Sequence, residues 1–159
     1  MSNIKIYPFN NSIETGLRML ILLTSAYPLT YDLDHLIYFD YMAVHSGDID
    51  KEIVSLHPAV PNRNGEILIR RSIIQEGLEL FMYKGLINKY YNEKGIEYGA
   101  SELAIPFLEA LNETYTSSLM ERANWVIRKF GQLELQQLRT LIINKLSNIR
   151  NDFNFAIIK

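Results

Sequence analysis

His45, Asp48, Asp50 and His57 bring imidazole and carboxylate groups into one short stretch of the chain. These are the ligand types of zinc and of hard divalent cations, so a metal-dependent activity built on His45, Asp48 and His57 is one chemistry to test. Their spacing matches no metal motif, and a polar loop with a capping aspartate and a histidine fixed beside Pro58 explains the same residues. A second set, Arg63, Arg70, Arg71 and Lys89, supplies the cations that contact phosphate in a nucleic-acid reader. Asp40 lies inside the apolar run LIYFDYMAV, where pairing with an arginine such as Arg70 or Arg71 explains it better than catalysis does. The sequence holds no Gly-rich phosphate loop, no Gly-x-Ser-x-Gly elbow and no cysteine, so no catalytic residue, cofactor site or metal site is assigned.

The elements that must position these residues follow from periodicity and punctuation. Asn11 or Ser12 caps a first helix to about Ala26, with Glu14 placed as in a capping box. Its predicted buried stripe is Ile13, Leu17, Leu20, Ile21 and Thr24, and Tyr27-Pro28 ends it. A second helix runs from Asp34 to about His45. Residues 46–66 show no regular pattern, a stretch of about 20 residues that exceeds an ordinary connection. Pro58 and Pro61 stiffen it, which lowers the ordering cost of binding.

The helix ILIRRSIIQEGLELFMYKG follows, with Ile69, Ile73, Gly77, Leu80 and Phe81 as its predicted apolar stripe and Gly85 as its stop. Leu86–Tyr91 and Ile96–Ala100 then read as two strands around a turn at Asn92–Gly95. Helix, glycine and two-stranded wing is the order of a winged helix. Further helices are expected at 101–111, 115–130 and 133–149. The ending NDFNFAIIK reads as an extended segment able to pair with IKIYPF or with a partner's sheet edge.

The expected fold is therefore mainly α, a winged helix-turn-helix core with a β-hairpin wing and additional C-terminal helices. The expected organisation is a single domain over 1–159. Within it, 9–100 form the winged-helix core with a long loop at 46–66, 101–150 the C-terminal helices, and 151–159 an extended tail. The length of 159 residues, with 48% apolar content, suits one buried core. Leu17–Ala26 is about half the ~20 residues of a membrane span, and the absence of cysteine fits a reducing compartment, so a cytoplasmic protein is expected.

A formal net charge of −2 argues against a free-standing nucleic-acid binder. Asp32, Asp34, Asp40, Asp48, Asp50 and Glu52 face Lys51 alone, whereas Arg63, Arg70 and Arg71 face only Glu66. Separate acidic and basic segments suit docking between proteins. The candidate partner-binding residues are His45, Asp48, Asp50, His57, Pro58, Pro61 and Arg63. The candidate nucleic-acid contacts are Arg63, Arg70, Arg71 and Lys89.

Several separated motifs over about Phe9–Phe130 resemble the second type of middle component of bacterial ABC-three-component systems. They are His45-Ser46-Gly47-Asp48, Ser55-Leu56-His57-Pro58, Pro61, Arg63, Gly65-Glu66, Arg70-Arg71 and Gly85-Leu86. The resemblance implies a small non-catalytic adaptor that bridges an SMC- or Rad50-like ABC ATPase and an effector such as a nuclease. Such systems are proposed to act against phages, and Lamassu-type complexes look like relatives. A winged-helix DNA-binding regulator is the alternative function.

Overall fold

The computed structural model describes residues 11–59 and 63–157. The first helix, α1 (Ser12–Ala26), opens on Asn11, whose Oδ1 accepts the Glu14 N–H at 2.8 Å. Five consecutive residues, Met19 to Leu23, are buried, so this helix is enclosed on all sides. α4 (Arg63–Tyr83), α6 (Thr114–Phe130) and α2 (Leu33–Val44) pack around it. The predicted stripe is corrected at its first position, because Ile13 is 65% exposed while Thr15 and Arg18 point inward.

Asp32 caps α2 by accepting the His35 N–H at 2.8 Å. At the other end Ser46 Oγ donates toward the carbonyls of Met42 and Ala43, and the chain enters a single turn, α3 (Ser46–Ile49). The N–H groups of Leu56 and His57 both donate to the Val44 carbonyl, which ties the connection back to the end of α2. The long loop expected at 46–66 is shorter than its sequence suggested, since α3 lies at its start and α4 begins at Arg63.

On α4 the buried positions are Arg70, Ile74, Gly77, Leu78 and Phe81. The predicted stripe is therefore rotated: Ile69 is 67% exposed, and the charged Arg70 takes the inward place. Gly77 meets Gly16 of α1 so closely that a Cβ on Gly77 would lie 2.6 Å from the Gly16 nitrogen. Glycine is required at this crossing by the close approach of the two backbones. Gly85, at φ +77°, ends the helix as expected. Its N–H donates to the Met82 carbonyl and that of Leu86 to Phe81, the paired bonds of a left-handed helix stop.

β1 (Ile87–Asn92) and β2 (Gly95–Ala100) pair antiparallel, with Ile87 opposite Ala100 and Asn92 opposite Gly95. Asn92 Oδ1 accepts the Lys94 N–H inside the turn, and Gly95 carries the positive φ that closes it. Tyr31, between α1 and α2, exchanges both backbone hydrogen bonds with Tyr98. This places a one-residue third strand on the far side of β2.

Beyond the hairpin lie α5 (Ala104–Glu109), α6 and α7 (Leu135–Ile157). Leu138, Ile142 and Leu146 of α7 are buried, at the four-residue spacing of one helix face. The extended tail expected at 151–159 is corrected: helix continues through Ile157, because no proline or glycine interrupts the run and adding a residue to a formed helix costs little. The IKIYPF segment lies outside the described residues. Mainly helical architecture with one antiparallel hairpin holds, and apolar residues from every element join one core cluster. No helix among the described residues is long and apolar enough to cross a membrane.

Candidate functional site

A buried ionic cluster runs through the centre of the helical core. Asp40, fully enclosed on α2, receives Arg18 Nε of α1 at 2.7 Å on Oδ1 and Arg18 Nη2 at 3.3 Å on Oδ2. Arg70 of α4 donates from Nη1 to the same Oδ2. Burial alone would raise the Asp40 pKa, but Arg18 and Arg70 together outweigh it and hold the carboxyl at about 2. Burial likewise opposes the charge on Arg18, and Asp40 more than offsets it, so the net shift is upward. Three charges from three helices are thus locked together.

The cluster continues outward through aromatic rings. Arg70 lies over the Tyr41 ring at 5.6 Å, and Tyr41 donates its hydroxyl proton to Asp48 at 2.5 Å. The His45 ring stands 4.8 Å from Tyr41 and 6.1 Å from His57, and His57 Nε2 meets the Tyr115 hydroxyl of α6 at 2.7 Å. Burial, followed by the charge of Arg18, pushes the His57 pKa down to about 4 and keeps the ring neutral near pH 7.

This arrangement holds each of its polar groups against a neighbour. Asp40 has no basicity near neutral pH, and a cavity of about 40 Å³ opens beside it, lined in part by Ile69, Ile73 and Ile74. Substrate pockets run to several hundred Å³. Asp48 accepts from Tyr41 and His57 Nε2 faces Tyr115, so the two are engaged with different partners. Among the described residues no group of three or more His, Asp or Glu is placed to hold a metal ion.

The predicted partner-binding residues separate into two groups. His45 and His57 are buried, at 2% and 6% exposure, and belong to the cluster with half-buried Asp48. Asp50 is half-buried and accepts the Glu52 N–H, and Pro58 is exposed. Pro61 falls outside the described residues, and Arg63 is the first residue of α4.

Of the predicted phosphate contacts, Arg70, Arg71 and Lys89 do not form one surface. Arg70 is internal, Arg71 pairs with Asp34 at the surface, and Lys89 lies 5.5 Å over the Tyr91 ring on the wing. The outward stripe of α4 instead presents Ile69, Ser72, Glu76, Glu79 and Tyr83, all exposed, with Tyr83 at 92%. These positions fall on one face by helical spacing, and none of them is a cation.

Sequence reasoning missed Arg18, Thr15 and Tyr115. The available signal was a lone arginine in the run GLRMLILL, matching a lone aspartate in LIYFDYMAV. A family model described as ABC-three component (ABC-3C) system Middle Component 2 matches residues 8–152. The chain belongs to that family. No curated protein and no solved structure matches this Middle Component 2 chain. The match spans all three helices of the ionic cluster and the hairpin. Membership implies a place in a multi-subunit system, and hence protein partners.

Proposed function

We propose that this middle component is a non-catalytic adaptor of an anti-phage ABC-3C system, related to Lamassu-type complexes and working in the cytoplasm. It joins an SMC-like ABC ATPase to an effector such as a nuclease. The observation that carries the reading is the outward face of α4. Two carboxylates, Ile69 and Tyr83 replace the cations that a groove-reading helix needs, while Arg70 and Arg71 are engaged with Asp40 and Asp34. Apolar and aromatic side chains held on a rigid helix suit a protein interface.

A winged-helix scaffold is part of the same proposal. The order α1, Tyr31 bridge, α2, α4, β1, β2 supports it, as does the pairing of Tyr31 with the second wing strand. In this reading the helix that would enter a groove has become a docking face. The loop around Pro58, with Asp48 and Asp50 shortly before it in the chain, offers a second contact region to the other partner.

Co-expression with the ATPase and effector encoded alongside tests the proposal. Ile69→Asp and Tyr83→Asp should each leave the chain folded and remove one partner from the purified complex. Retention of both partners by the double variant overturns the assignment of this face. The DNA-reading alternative is separated by duplex binding at graded salt. A reader with several phosphate contacts loses affinity with a log–log slope of about −0.9 per contact, and the adaptor shows no such binding on its own.

A further inference from the structure

His35 stands in the first turn of α2 with both ring nitrogens engaged. Nδ1 lies 2.8 Å from Asp32 Oδ1, and Nε2 lies 3.1 Å from the carbonyl oxygen of Leu133 in the turn between α6 and α7. A carboxylate and a peptide carbonyl accept hydrogen bonds and donate none. A neutral imidazole carries one N–H, so it satisfies one of these contacts and turns a lone pair toward the other oxygen. Only the imidazolium makes both.

We propose that protonation of His35 latches the α6–α7 turn onto the start of α2, making the seating of α7 proton-linked. The setting favours such a latch. The His35 side chain is 16% exposed, while that of Asp32 is 40% exposed and gives water access to the pair. The surrounding charges also bear on the titration. Asp32 and Asp34 flank His35 on its own helix, with Asp34 partly answered by Arg71. Lys94 and Glu97 of the hairpin and Glu134 of the α6–α7 turn line the same cleft. Arg139 of α7 reaches Tyr38 one turn along α2.

The hydrogen bond to Asp32 raises the His35 pKa above 6.5 against the opposing effect of burial, with the Asp32 charge and the Leu133 carbonyl adding to the rise. A raised histidine contributes stability that is complete below the unfolded value near 6.5 and is lost as pH climbs through the folded value. Tyr31 ties the same turn independently, donating its hydroxyl to the Gly131 carbonyl at 2.9 Å. Deprotonation of His35 therefore loosens the turn without releasing it.

Nuclear magnetic resonance of the full chain tests the latch by following the His35 ring and the Glu134 and Leu135 amides from pH 5.5 to 9. The expected result is a single shared midpoint above 6.5, with faster amide exchange in the first turns of α7 on the alkaline side. Asp32→Asn preserves an N-cap residue of similar quality and should bring the His35 midpoint down toward 6.5. His35→Gln should abolish the response of the α6–α7 amides in this range while the chain stays folded. A His35 midpoint at or below 6.5, or α6–α7 amides that ignore it, overturns the proposal.

Discussion

Replacing Asp40 by asparagine keeps the shape of the side chain and removes the negative charge that Arg18 and Arg70 share. The amide that replaces one oxygen is a donor, so it faces guanidinium N–H groups with nothing to accept. Removing one partner of a buried ion pair costs about 3–5 kcal/mol, because the remaining charge stays enclosed. The linkage gives a separate measure of the same site. A carboxyl held at about 2 instead of 3.8 contributes on the order of 2 kcal/mol near neutral pH. That contribution is present above pH 3.8 and is lost as pH falls toward 2.

Urea unfolding at pH 7 is the assay. With a slope of about 2 kcal/mol per molar, the Asp40→Asn midpoint should fall by about 2 M. A domain stability of about 5–15 kcal/mol makes this a large fraction of the total. The companion variant Arg18→Met/Asp40→Leu/Arg70→Met removes all three charges and should recover much of the loss, since an apolar replacement of a buried ionic group is often neutral or better. A midpoint shift below about 0.5 M for Asp40→Asn refutes the reasoning. So does a triple variant less stable than the single one.

Three further outcomes follow from the geometry. Gly77→Ala places a Cβ 2.6 Å from the Gly16 nitrogen and 2.9 Å from its Cα, so α1 and α4 must part, at a cost of about 1–3 kcal/mol in thermal or chemical unfolding. Acid should destabilise the chain before the carboxylates respond, because the neutral His57, with its pKa near 4, contributes stability above pH 6.5 that is lost as pH falls through 4. His57→Phe should flatten that limb of the pH–stability curve. Arg71→Ala, breaking an exposed pair with Asp34, should change unfolding by no more than about 1 kcal/mol.

Much of the framework was legible because local chemistry specifies it. Asn11 announces α1, Gly85 stops α4, and Asn92 to Gly95 turns the hairpin, each through backbone bonds that depend on a few neighbouring residues. The inward face of α4 was misread because Ile69 and Arg70 are adjacent, and residue type alone assigns the isoleucine to the core. Arg70 points inward only because Asp40 of another helix is there to meet it, a fact of tertiary structure. The same holds for His45 and His57. Their types suggested ligands or a surface, whereas burial against Tyr41 and Tyr115 makes them part of the scaffold. The tail misled for a different reason: alternating Phe153 and Phe155 imitate a strand within a helix that nothing interrupts.

Tyr31 gives the architecture a mechanical meaning. Its backbone is bonded on both sides to Tyr98 of the wing, while its hydroxyl holds the Gly131 carbonyl at the top of the last helix pair. One residue is thus a pivot shared by two levers. The hairpin and the turn from which α7 departs are therefore joined through one aromatic side chain that takes no part in the ionic cluster.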